Sequence, residues 1–252
     1  MINIKKVFKK IYFRDWQYQS LGKSKSYDFV FDKISIAEKI KQWILLSKYL
    51  EESFKKNKIN LVGYPKEITN KIKLNVNIET KDEKFLDYYS TLSYYDSEFI
   101  KQFVSSNKKI IEISTGFGRM LPFFIDYKNY SSYEPIKKIS ELSEFFIKNI
   151  LKNNFKIFKT EFDLTNTDKV DLYYSIDCLG EISTKQFVNY MNILKKNLNK
   201  NGIILIRDWW WNKDNLKFLL KQNDYFHISK TKIKYIDVGE NNNWYILKIK
   251  NV

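Results

Sequence analysis

The sequence predicts a doubly wound α/β protein: a mostly parallel seven-stranded sheet with one antiparallel terminal strand. Three observations carry this. From residue 108 onward, short apolar runs alternate with helix-length amphipathic stretches, the pattern of a parallel sheet wrapped by crossovers. The first run, Ile110-Ile111-Glu112-Ile113, passes straight into Ser114-Thr115-Gly116-Phe117-Gly118. Such a small-residue turn lets backbone approach a ligand closely. The last two runs are joined by the polar stretch from Asp237 to Asn243, a hairpin-like link that reverses one strand.

The spacing predicts strands at 109–114, 130–134, 155–161, 171–176, 202–207, 225–236 and 243–249. Helices are expected at 118–126, 137–152, 184–199 and 212–222, while 162–170 reads as a loop or short helix. Residues 1–105 read as a mainly helical, aromatic cap and 106–252 as the ligand-binding α/β domain. Within the cap, Ser35 starts a helix through about Lys55, and another helix spans 84–105. Between them, 57–83 is polar and weakly patterned, with Gly63 and Pro65 as breakers.

At 252 residues and 44% hydrophobic, the chain can bury a full core. Its formal charge of +15 admits a polyanionic partner, but the lysines are scattered, which favours a generic basic surface. Of the three arginines, Arg119 and Arg207 stand beside strand ends. Their planar forks suit phosphate or carboxylate, with ordinary salt bridges as the competing reading. A single cysteine, Cys178, excludes an intrachain disulfide and a Cys-based metal cluster. A single histidine, His227, argues against His-rich metal sites and a Ser-His-Asp triad, and reads best as a packed or edge imidazole. No apolar run is long enough to span a bilayer and no signal peptide is evident, so a cytoplasmic location is expected.

Open α/β sheets bind ligands at the carboxyl ends of their strands. The second strand ends at Glu134-Pro135, where the carboxylate can accept hydrogen bonds from both hydroxyls of a ribose and the proline stops the ladder. The third ends in Glu161-Phe162-Asp163-Leu164, with Asp163 placed for an exocyclic amine and Leu164 to flank a flat ring. Ser175, Asp177 and Glu181 follow the fourth strand, and Arg207-Asp208-Trp209-Trp210-Trp211 the fifth. Indole faces stack on sugars, nucleobases and cations, so the tryptophans divide evenly between core and substrate wall.

Taken in order, these motifs resemble the class I S-adenosylmethionine-dependent methyltransferases, with their Rossmann-like fold, over about 108–250. The family's acidic-x-Gly-x-Gly-x-Gly turn reads here Glu112-Ile113-Ser114-Thr115-Gly116-Phe117-Gly118, with Ser114 in place of the first glycine. The resemblance implies S-adenosylmethionine as cofactor and S-adenosylhomocysteine as product. It implies that Glu112 orients the turn and meets the methionine amino group, and that Ser114, Thr115, Gly116, Gly118 and Arg119 line the methionine and ribose. Glu134 and Pro135 match the ribose position, Asp163 and Leu164 the adenine position, and Ser175 to Asp177 the segment beside the methyl group.

The acceptor expected is a hydroxyl of a small polar, anionic metabolite: a sugar, nucleotide-sugar or phosphorylated capsule precursor. Asp208, Asp177 and Glu181 are its candidate general bases, and Arg207, Trp209 and Trp210 its candidate contacts. The alternative is a methyltransferase or binder of RNA or DNA using the basic surface. It is disfavoured because Ile176-Asp177-Cys178-Leu179 lacks the prolines of the Asn/Asp-Pro-Pro-aromatic motif. A dinucleotide reading is disfavoured because Leu121 stands where a third glycine is needed. No metal site is assigned, since spacing alone does not support an ion between Asp177 and Asp208. Oligomeric state stays open.

Overall fold

A computed structural model describes residues 51–76, 80–116, 118–208, 210, 212–233 and 243–250. The helix expected over 35–55 therefore falls mostly outside the described residues, as does the link 234–242; residues 51–56 are helical.

Seven strands form one sheet: β1 (Ile110–Ile113), β2 (Tyr130–Tyr133), β3 (Lys156–Phe158), β4 (Val170–Ile176), β5 (Leu198–Arg207), β6 (Phe226–Thr231) and β7 (Trp244–Ile249). Their order is β3-β2-β1-β4-β5-β7-β6. The first five run parallel, and β7 is antiparallel to both β5 and β6. All four residues of β1 are buried, because a parallel strand in mid-sheet is covered on both faces. His227 is exposed on the edge strand β6.

The helices are α1 (Lys66–Val76), α2 (Thr80–Lys101), α3 (Lys137–Phe145), α4 (Glu161–Thr165), α5 (Thr184–Asn197) and α6 (Lys213–Leu220). α5 starts where the Ser183 hydroxyl accepts the Gln186 N–H at 3.3 Å. It buries Phe187, Tyr190, Met191 and Leu194 at i, i+3, i+4 and i+7. These side chains, with Leu164 and Leu219, cover one sheet face through Ile111, Ile113, Tyr173, Ile204 and Ile206. The other face, with Ile110, Tyr174, Leu205 and Trp244, packs under Tyr64, Ile68 and Ile72 around α1, Ile100 of α2, and Leu142, Phe146 and Ile150.

Several elements depart from the sequence reading. The helix expected at 118–126 is absent: turns lead into a short 3-10 helix, Leu121–Phe123, with Pro122 near its start. Pro122 supplies no N–H to a continuing ladder. The helix expected at 137–152 is α3 followed by a π-helical segment, Phe146–Leu151, which ends at Lys152 in the left-handed region. β3 is shorter than expected, and the interval read as a loop or short helix holds the short helix α4. α1 occupies part of the weakly patterned 57–83 stretch, where it buries Ile68 and Ile72.

Candidate functional site

The switch point between β1 and β4, where neighbouring crossovers leave in opposite directions, lies beside the turn that follows β1. Ser114 has φ 61°, a left-handed conformation that costs a residue with a Cβ roughly 1 kcal/mol. A glycine would take this conformation without that cost. The Ser114 N–H continues the ladder to the Tyr133 carbonyl at 2.8 Å, and its hydroxyl accepts from the Cys178 thiol at 2.7 Å. Gly116 has φ 58°, and a Cβ there would meet nothing within 4 Å. Gly118 has φ 94°, and a Cβ there would stand 2.6 Å from Leu121 Cδ1. The first of these glycines keeps a space open; the second serves packing.

Carboxylates fix the turn from below. Glu112 Oε2 accepts from Thr115 Oγ1 at 2.8 Å and from the Tyr130 hydroxyl at 2.7 Å, and Tyr130 in turn bonds the Tyr174 hydroxyl. Burial raises the Glu112 pKa, against the pull of those hydrogen bonds and of Arg119. Glu134 accepts the Gly116 N–H at 3.1 Å and the Ile136 N–H at 3.1 Å. Pro135 offers no N–H, so the carboxylate reaches past it. Burial pushes the Glu134 pKa up to about 8. Ser143 completes the frame by donating to the Gly116 carbonyl.

Asp163 sits on α4, not at the end of β3. It forms a capping box with Thr160, whose hydroxyl accepts the Asp163 N–H at 3.1 Å while Asp163 Oδ2 accepts the Thr160 N–H at 3.2 Å. The Thr160 hydrogen bond lowers its pKa. Leu164, expected to flank a ring, is fully buried in the core; a short helix turns it inward and leaves Phe162 exposed at 76% instead.

The arginines define the other side. Arg207 is 2% exposed and pairs with Asp96 Oδ1 at 3.0 Å and Asp177 Oδ2 at 3.2 Å. Arg119 donates to Ser93 Oγ at 2.9 Å and faces Asp96 Oδ2 at 3.5 Å and Asp177 Oδ2 at 3.8 Å. Two guanidiniums and two carboxylates thus close into one cluster. Trp244 underlies Arg207, its ring centroid 5.8 Å from Cζ, and Phe99 of α2 packs on Trp244 at 4.9 Å. Arg207 is therefore a buried ion-pair partner, correcting the expectation of a substrate contact. Asp177 has φ 55° and is the member of the four with a part-exposed side chain, at 31%.

Asp96 was not legible as a site residue. Its helix buries Ser90, Thr91, Ser93, Asp96 and Ser97 along with Leu92 and Ile100. A helix that places hydroxyls and an acid where an apolar stripe belongs carries the signal that sequence reading passed over.

Asp208 is fully buried and accepts the N–H groups of Cys178 and Gly180, each at 2.8 Å, and that of Trp210 at 3.3 Å. Burial, with the nearby Asp177 charge, pushes its pKa up to about 7. Its acceptors are turned onto backbone, which corrects its placement as a general base. Trp210 has φ 52° and packs edge-on against Phe187 and Tyr245 in the core, so it is no substrate wall. Trp209 lies outside the described residues. Glu181 is half-buried, its N–H on the Cys178 carbonyl at 2.9 Å. Ser175 is buried within β4, where its hydroxyl has no hydrogen-bond partner among the described residues. No described helix is long and apolar enough to cross a membrane.

No protein-family profile matches the sequence, and no curated protein is significantly similar to it. Among solved structures, a candidate S-adenosyl-L-methionine-dependent methyltransferase from Methanococcus maripaludis is similar at 14% identity and TM-score 0.50, over 65% of this chain and 88% of that one. The PH0226 protein of Pyrococcus horikoshii is similar at 13% identity and TM-score 0.51, over 65% of this chain and 92% of that one. These likenesses establish the fold.

Proposed function

We propose that this chain, which has the Rossmann-like fold of class I methyltransferases, transfers a methyl group from S-adenosylmethionine to a hydroxyl of a small polar molecule. The observation that carries this is the turn from Ser114 to Gly118. It lies at the topological switch point, framed by Glu112 and Glu134, and Gly116 opens onto free space where a Cβ would stand. The donor set suits a nucleoside carrying a zwitterionic amino acid: backbone of 114–118 and Glu112 for the methionine part, Glu134 for ribose hydroxyls, Asp163 for the adenine amine. When bound, S-adenosylmethionine supplies an electrophilic methyl group.

The protein's work is then positioning and proton handling. Glu112 holds Thr115 and so the turn. Asp177, at the end of β4 and part-exposed, is the carboxylate placed to take a proton from an acceptor hydroxyl. Asp208 keeps the loop behind it in shape through Cys178 and Gly180.

Calorimetry with S-adenosylhomocysteine tests the cofactor assignment. Binding should occur with the full chain and raise its melting temperature. A ligand at one hundred times its Kd stabilises a fold by about 2.7 kcal/mol. Absence of heat and of any shift at saturating ligand would remove the assignment. A transfer screen over polyols and amino alcohols, with product mass measured, then identifies the acceptor.

A further inference from the structure

The sequence presents Arg119 and Arg207 as an anion site, yet their surroundings oppose that use. Both side chains are at most 9% exposed, and both point at Asp96 and Asp177. Among the described residues, two positive and two negative groups leave no net cationic charge, and Glu112, also buried, lies close enough for Arg119 to act on it. A phosphate entering here would displace a carboxylate from a guanidinium and leave that carboxylate buried and unpaired, a costly exchange. The part-exposed member is Asp177, and its Oδ1, although itself enclosed, has no hydrogen-bond partner among the described residues. Arg207 Nε is likewise without one, although its two terminal nitrogens are paired.

We propose that Asp96 sets the acceptor class of this site. With Asp177 it neutralises Arg119 and Arg207, so that phosphates and carboxylates are turned away. The group that docks against Asp177 is an uncharged or cationic hydrogen-bond donor, a hydroxyl or an amine. This rests on the reading that the corner binds a methyl donor, which places the ends of β4 and β5 beside the acceptor. Asp96 is a positioning residue: it acts through Arg207, and it comes from α2, outside the glycine-turn half of the chain.

The arginine count makes this testable. With only Arg14, Arg119 and Arg207 in the chain, 15N-arginine labelling yields three Nε–H signals, and Arg207→Lys assigns one. The probe is inorganic phosphate, titrated into the full chain with and without S-adenosylhomocysteine. In the wild type the Arg119 and Arg207 signals should stay unmoved to about 10 mM phosphate. In Asp96→Asn they should move, with affinity raised about tenfold or more, because a freed guanidinium binds phosphate through charge-assisted hydrogen bonds. Asp96→Glu should restore exclusion. Should Asp96→Asn not fold, Asp177→Asn, at the part-exposed end, must give the same gain. A purely structural Asp96 would lower stability without creating a phosphate site. The proposal is overturned if phosphate below about 10 mM moves the wild-type Arg119 or Arg207 signal, or if neither variant gains phosphate binding. Failure of S-adenosylhomocysteine to bind the same sample would count against the methyl-donor reading, while the phosphate arms still report on the cluster.

Discussion

A Cβ on Gly180 would collide with the carboxylate of Asp208, because that carboxylate is drawn against the loop after β4 to accept its N–H groups. The two residues fit only as a pair: the acid fills the space that the missing side chain leaves. Asp208→Asn would turn one acceptor oxygen into a donor facing backbone N–H groups. The expected cost is about 2–3 kcal/mol, read as a lower urea midpoint. A variant of unchanged stability but much reduced turnover would instead mark Asp208 as a catalytic base.

Gly116 and Gly118 should separate binding from stability. Gly116→Ala meets no neighbour and bears only the left-handed strain, about 1 kcal/mol. Its methyl would stand where the cofactor is placed, so S-adenosylhomocysteine affinity should fall at least tenfold. Gly118→Ala drives a Cβ into Leu121, so denaturation should show a larger stability loss than at Gly116. The reverse ranking in calorimetry and denaturation would remove the turn as the cradle.

Trp210→Ala should cost about 3–5 kcal/mol, as expected for a large side chain packed among Phe187 and Tyr245. Under conditions where the variant is folded, acceptor KM should be unchanged. A raised KM with wild-type stability would return Trp210 to the substrate wall.

Stability should fall as pH rises from about 5 to 8. Burial raises Glu134 from 4.5 to about 8 and Asp208 from 3.8 to about 7. Between the unfolded and folded values the native state keeps a proton that the unfolded chain has lost. The unfolded state binds fewer protons there, so the slope of unfolding free energy with pH is negative. Melting temperatures across this range give the slope, and Glu134→Gln should flatten its upper part. A variant with the wild-type slope would show that Glu134 is ionised throughout.

The seven strands, the reversal of one terminal strand and the glycine turn were legible because they depend on local pattern: apolar runs of strand length, small residues between them, a polar link before the end. The absent helix after Gly118 was not. Arg119 to Ile125 is apolar enough for a helix, and Pro122 inside it decides otherwise. Residues after the strand ends were the harder case. Arg207, Asp208 and Trp210 stand at the predicted ligand edge in sequence, but one turn of backbone directs each inward, to Asp96, to the Gly180 loop and to Phe187. Their partners lie far away along the chain, whereas Asp177 and Glu181 stay part-exposed at that edge.

The same ion cluster imposes an order on synthesis. Asp96 leaves the ribosome well before Arg119, and Arg207 comes far later, followed by the Trp244 on which Arg207 and Phe99 both rest. Trp244 opens β7, which is inserted between β5 and β6 and not added at the sheet edge. The early helix therefore holds a carboxylate whose counter-charge does not yet exist, and it cannot settle until the last strand has been threaded into the sheet. A chain interrupted before β7 would lack the ring on which Arg207 and Phe99 both rest, which ties completion of the ion cluster's packing to the final strand.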